Sequence, residues 1–95
     1  QKASNLGYLS GIYSLGYCYR HGIGTDVNYE KAFELYQKAA NLDVNSARFH
    51  LASMCNNGEG TVRDIDQAIY WYKKSAEQGD QDAQNKLEKF LKYFV

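Results

Sequence analysis

Residues 47–80 read A-R-F-H-L-A-S-M-C-N-N-G-E-G-T-V-R-D-I-D-Q-A-I-Y-W-Y-K-K-S-A-E-Q-G-D, two helix-period runs joined by a glycine-containing loop. The landmarks of this stretch also stand 36 residues upstream. Leu15 matches Leu51, Gly22 matches Gly58, Gly24 matches Gly60 and Thr25 matches Thr61; Ala32, Tyr36, Lys38 and Ala40 match Ala68, Tyr72, Lys74 and Ala76. Downstream, Ala47 and Leu51 recur as Ala83 and Leu87. Self-similarity at a fixed period of roughly 20–50 residues is the signature of a solenoid, in which each unit buries its apolar face only against its neighbours. The chain is predicted to be a helical repeat array.

Composition agrees. The 95 residues contain no proline, and the runs between loops are rich in Ala, Leu, Lys, Gln and Glu, which favour helix. Eleven basic residues balance eleven acidic ones, so no long-range field draws nucleic acid or a membrane surface. There is no apolar run of about 18 residues to span a bilayer, and no signal peptide opens the sequence.

In chain order, residues 1–7 are expected to be the remnant of a preceding repeat, because Lys2-Ala3-Ser4-Asn5-Leu6 matches Lys38-Ala39-Ala40-Asn41-Leu42 at four of five positions. Residues 8–44 form the first repeat, 45–80 the second and 81–95 a terminal capping helix. The first A helix, about 9–21, presents Gly11, Leu15, Cys18 and Tyr19 on one face. Gly11 and Gly16 are expected to allow close helix packing, since Ala47 and Ala52 hold the same slots. Gly22 and Gly58 are suited to a left-handed helix end. Asn28 and Asp64 are the expected N-caps, with Gln67 completing a capping-box pattern at Asp64. The B helices, about 29–42 and 65–78, turn Tyr29, Ala32, Phe33, Tyr36, Ala39 and Ala40, then Ile65, Ala68, Ile69, Tyr72, Ser75 and Ala76, toward the core. Gly79 ends the second B helix; Asp43 at the equivalent point tolerates a left-handed backbone less well, so a less regular junction is expected there. In the last helix, Leu87, Phe90, Leu91 and Phe94 cluster on one side and Lys86, Lys89 and Lys92 on the other, and Phe94 stands where the period demands glycine. That pattern predicts a cap with Phe90 and Leu91 buried.

The order A-x-x-x-L-[AG]…G-x-G-T…[DN]-x-x-x-A-x-x-x-Y-x-K-[AS]-A resembles the Sel-one-like repeat, a relative of the tetratricopeptide repeat. Trp71-Tyr72-Lys73-Lys74-Ser75-Ala76-Glu77-Gln78-Gly79-Asp80 is similar to the ending of that family's second helix. Cys55 departs from the pattern, standing where an aromatic is usual; Tyr19 keeps it. The resemblance implies an all-α, right-handed α-solenoid of antiparallel helix pairs that acts as a scaffold or adaptor. Family members occur in signalling proteins, in quality-control complexes at the endoplasmic reticulum and in bacterial proteins.

Catalysis finds no support. The lone Gly22-Ile23-Gly24 follows no strand and has a copy at Gly58-Glu59-Gly60, which makes it a turn and not a phosphate loop. Cys18, His21, His50 and Cys55 are the residue types of a zinc site but lack paired ligand spacing, and the two cysteines fall on apolar helix faces. No metal or other cofactor is expected. By the resemblance, secreted members pair cysteines within one repeat, so a disulfide is not expected either. Two unpaired thiols fit a reducing compartment, placing the chain inside the cell, in the cytoplasm.

What remains is a binding surface. By the resemblance the A helices line the concave side. At about 100° per residue, Tyr13, Tyr17, Arg20, His21, Phe49, His50, Ser53 and Asn57 turn away from the core, and Lys89 continues the row at the Tyr17 and Ser53 position. Tyr17 and Arg20 are the foremost contact candidates, because exposed aromatics and arginine dominate interface hot spots. The expected role is a non-enzymatic module binding a protein or peptide, with no nucleic acid and no membrane insertion. The alternative is a rigid spacer or self-association element, with a homodimer formed through a repeat surface.

Overall fold

Helix-favouring runs, joined alternately by Gly-x-Gly loops and by short turns at Asp43 and Gly79, give five α-helices: α1 (Lys2–His21), α2 (Tyr29–Asn41), α3 (Asn45–Asn57), α4 (Ile65–Glu77) and α5 (Gln81–Phe94). They come from a computed structural model that describes residues 2–94, with side chains from 9 to 92. No strand occurs among the described residues. Each helix packs on the next in sequence, α1 on α2 through to α4 on α5, which is the nearest-neighbour arrangement of a solenoid.

The loops repeat at the level of single hydrogen bonds. Ile23 N donates to Cys18 O at 2.9 Å and Asn28 N to Tyr19 O at 2.8 Å; 36 residues on, Glu59 N donates to Met54 O at 3.0 Å and Asp64 N to Cys55 O at 2.9 Å. Asn28 Oδ1 accepts from Lys31 N and Asp64 Oδ1 from Gln67 N, each at 3.1 Å, so both expected caps are made. The capping box at Asp64 is not reciprocal, because the Asp64 N–H is already taken by Cys55. Gly58 ends α3 at φ 72°. Gly60, at φ 75°, lies so close to α2 that an added Cβ would sit 2.3 Å from Tyr29 O.

Asp43 corrects an expectation. It adopts φ 69°, yet the junction is as regular as that at Gly79: Asp43 N bonds Ala40 O at 3.1 Å, as Gly79 N bonds Ala76 O at 2.9 Å. Its carboxylate pairs with Arg48, a buried arginine on α3 whose Nε also reaches Ala40 O at 3.4 Å. That side-chain anchor offsets the local backbone strain.

The core runs through the middle of the array. Tyr36, Ala39, Ala47, Leu51, Ala52, Met54 and Ala68 are fully buried, and Tyr72 and Ala40 nearly so. Gly16 does approach α2 closely, as an added Cβ would lie 3.3 Å from Leu35 and Tyr36. Four expectations fail, three of them at the N-terminal end of the repeats. Leu15 is 48% exposed although Leu51 is at 0%, and an added Cβ at Gly11 would meet nothing within 4 Å. Both face the side of α1 that carries no helix, whereas α3 lies between α2 and α4. Tyr29 is exposed as well, at the start of α2. At the other end, α5 continues to Phe94 and buries Phe90, but Leu91 is 52% exposed, because α4 covers only one side of the helix. Of residues 1–7, expected as the remnant of a preceding repeat, 2–7 are continuous with α1 and Gln1 lies outside the described residues.

Candidate functional site

Two tyrosines one period apart organise the chain's central face. Tyr36 on α2 is fully buried; the His50 ring of α3 stacks on it with centroids 5.1 Å apart and planes 8° apart, and Tyr13 of α1 flanks it at 5.7 Å. Tyr72 on α4 is flanked by Phe49 of α3 at 5.5 Å and Phe90 of α5 at 5.7 Å. Each B-helix tyrosine is thus held between aromatic rings of the A helices before and after it. Tyr13 and Phe49 hold the same repeat position, and both are half-buried against these tyrosines, so neither stands free as a ridge.

Arg20, in the last turn of α1, crosses to the second repeat. Its Nε donates to Glu59 Oε1 at 3.1 Å, Nη1 to His50 Nδ1 at 2.9 Å and Nη2 to Ser53 Oγ at 3.2 Å. Nη2 also lies 3.0 Å from Glu59 Oε1, with side chains only 11% and 23% exposed. Arg20, expected as a foremost contact candidate, thus has every nitrogen of its guanidinium engaged within the chain. Glu59, in the loop after α3, is its counter-ion. Ser53 also stands near the Tyr72 phenol and opposes the upward shift that burial gives it. Tyr17 replaces serine at that position in the first repeat, and the Tyr36 hydroxyl has no hydrogen-bond partner.

These surroundings set the titration of the site. His50 is held down to about 4, first by burial, then by the positive charges of Arg20 and His21, with Asp80 opposing. Burial raises the phenols of Tyr13, Tyr36 and Tyr72. Burial, with Asp64 nearby, also raises the Cys55 thiol, which disfavours the thiolate a nucleophile needs.

The remaining expected site residues divide by exposure. Tyr17 is 40% exposed and packs on the exposed His21 with ring centroids 4.3 Å apart, and edge-on to His50 at 6.0 Å. Tyr13, Ser14, Tyr17 and Cys18 line a shallow depression of about 380 Å³. Asn57 and Lys89 are exposed. Cys18 and Cys55 are free thiols, and no group of three or more His, Cys, Asp or Glu among the described residues is placed to hold a metal.

Sequence reading missed Glu59 and Arg48. A signal for the first was present. The residues that join the two repeats are those that break the period: Arg20 against Asn56, Glu59 against Ile23, His50 against Ser14, Ser53 against Tyr17. Repeated residues build the units, and the exceptions couple them.

Comparison with known proteins places this arrangement. The Sel1 repeat family model matches residues 9–44 and 45–80. A Sel1 repeat protein from Oxalobacter formigenes is 35% identical, with a TM-score of 0.83 over 86% of this chain and 34% of its own. The c5321 protein, a protective antigen of uropathogenic Escherichia coli strains with an SLR fold, is 33% identical, with a TM-score of 0.86 over 95% of this chain and 19% of its own. Helicobacter pylori cysteine rich protein B is 28% identical, with a TM-score of 0.77 over 88% of this chain and 63% of its own. The chain thus spans less than two thirds of each of these structures. No curated protein matches it.

Proposed function

The chain belongs to the Sel1 repeat family, and from that membership we propose that it is a non-enzymatic interaction module whose α1–α3 face binds a peptide or partner domain. The observation that carries this reading is the pairing of a rigid base with an exposed rim. Arg20 ties α1 to α3 through His50 and Ser53 and to the following loop through Glu59, while Tyr17 and His21 remain accessible beside the Tyr13–Cys18 depression. A contact surface that is already ordered loses little conformational entropy on binding. Tyr17 and His21 are the residues placed for direct contact; Tyr13, Phe49 and His50 shape the floor, and Arg20 and Ser53 position it. Asn57 and Lys89 extend the surface along the same row. A balanced net charge argues for a partner read by aromatic and hydrogen-bond contacts rather than by nucleic-acid electrostatics. No helix among the described residues is long and apolar enough to cross a membrane. The free thiols support an intracellular, reducing setting.

The test starts from peptide-display selection against the immobilised chain. The affinity of a selected segment is then measured for wild type, Tyr17→Ala and His21→Ala. Weakening of about fivefold or more in either variant, with the melting temperature unchanged, is expected. Unchanged affinity in both would move the site off this face. A chain that instead sediments as a dimer burying upwards of ~1,000 Å² there would favour self-association.

A further inference from the structure

The two B-helix tyrosines are packed alike but differ at the hydroxyl. Tyr72 has Ser53 beside its phenol. One period earlier that position is Tyr17, and the Tyr36 hydroxyl is buried with no hydrogen-bond partner. The Tyr36 ring has no freedom to seek one. It is fully buried, stacks on His50 and passes under Gly16, where an added Cβ would lie 3.3 Å from Cδ1 and Cε1. A buried O–H without an acceptor is a cost to the fold, and a group that supplies the acceptor relieves it.

The hydroxyl lies behind the rim of the interaction face. Its ionisation is governed first by burial and then by Tyr13, Arg20, Tyr17 and Cys18. Three of these, Tyr13, Tyr17 and Cys18, line the depression of about 380 Å³ together with Ser14. Burial keeps the phenol protonated, so what it offers is a donor. The charge around it is already balanced. Arg20 is paired with Glu59 at 3.0 Å, and His50, held down to about 4, is neutral at pH 7. A carboxylate would enter without a free counter-charge from either, whereas a neutral carbonyl oxygen meets the donor without that cost. A hydroxyl set behind aromatic rings is within reach of the end of a long side chain rather than of a main-chain carbonyl. On the same wall the Ser14 hydroxyl has lone pairs to accept an N–H.

Resting on the reading of this face as an interaction surface, we propose that the Tyr13–Cys18 depression selects a glutamine side chain of the partner, whose amide oxygen accepts from the Tyr36 hydroxyl and whose amide N–H donates to Ser14 Oγ. Tyr17, 40% exposed, turns about its Cα–Cβ bond to admit the carboxamide and then lies along its aliphatic stem. A glutamate side chain brings an uncompensated charge and no N–H. An apolar side chain leaves the phenol without its acceptor.

The probe is N-acetylglutamine N-methylamide, compared with its glutamate and methionine counterparts and titrated into the chain with tyrosine ring signals followed by NMR. The glutamine probe is expected to shift the Tyr13 and Tyr17 signals saturably, with each counterpart weaker by about fivefold or more. Tyr36→Phe keeps the ring and removes only the hydroxyl. It should weaken the glutamine probe by about fivefold or more while leaving the melting temperature unchanged or raised, because the hydroxyl lost had no partner. Tyr72→Phe should leave the affinity for the probe as in wild type. A merely structural role for the Tyr36 hydroxyl would lower the melting temperature and leave the ranking of the three probes alone. Equal affinity for the three probes, no shift at Tyr13 and Tyr17, or full affinity in Tyr36→Phe would each overturn the inference. If display-selected segments still depend on Tyr17 or His21 in that event, the interaction face stands and only its glutamine selectivity falls. Segments indifferent to both residues would remove the face itself.

Discussion

The Arg20 guanidinium donates from Nη1 to Nδ1 of His50 across 2.9 Å, and this bond assigns the protonation of the histidine. Arginine has only donors, so Nδ1 must be the accepting nitrogen and His50 the neutral tautomer with its proton on Nε2. The stacking of the same ring on Tyr36 at 5.1 Å makes His50 the point where the first B helix, the last turn of α1 and the second repeat meet.

Stability should fall on acidification through this residue. Its folded value of about 4 lies below its ordinary 6.5, so between those limits the unfolded chain holds a proton that the folded chain lacks. The contribution is neutral above pH 6.5 and is lost progressively down to about pH 4, with a slope no steeper than ~1.4 kcal/mol per pH unit; partial solvent access at the half-buried ring keeps it shallower. Urea midpoints of wild type and His50→Gln, measured from pH 7.5 to 4, should diverge as pH falls. Parallel curves would show that His50 is not the titrating group.

Removing Arg20 should destabilise the chain as well as alter its surface. Arg20→Ala leaves Glu59, His50 and Ser53 without their donor and is expected to cost about 1–3 kcal/mol. Combined with Glu59→Ala, the loss should be less than additive by at least ~0.5 kcal/mol. Additive denaturant midpoints would mean that the pair is not coupled.

The same leucine position should behave differently in the two repeats. Leu51, fully buried, is expected to cost about 2–5 kcal/mol as alanine. Leu15, half exposed, should cost under ~1 kcal/mol. Equal chemical-denaturation losses would contradict the burial difference.

The two loop glycines also separate. Alanine at Gly24 or Gly60 meets the left-handed backbone alike, at about 1–2 kcal/mol. At Gly60 the new Cβ would also run into the Tyr29 carbonyl, adding ~1 kcal/mol or more. Thermal melts that rank Gly24→Ala as the worse variant would refute this packing of loop on helix.

The 36-residue period by itself determined the helix order, the loop turns, the Asn28 and Asp64 caps and the burial of Tyr36, Leu51 and Tyr72. Each of these depends on contacts within a unit or with the unit beside it, and a repeated residue meets a repeated environment. Only the tertiary structure decided three other matters. Leu15 and Leu51 share a sequence position but not a neighbour, so one is bare and the other buried. Asp43 takes a left-handed turn because Arg48, five residues on, reaches back to it. Arg20 and Glu59, 39 residues apart, neutralise each other across two repeats. A helical wheel places Arg20 on the outer face but is blind to the loop that closes over it, because the direction of a side chain follows from its own helix and its partner from how that helix packs.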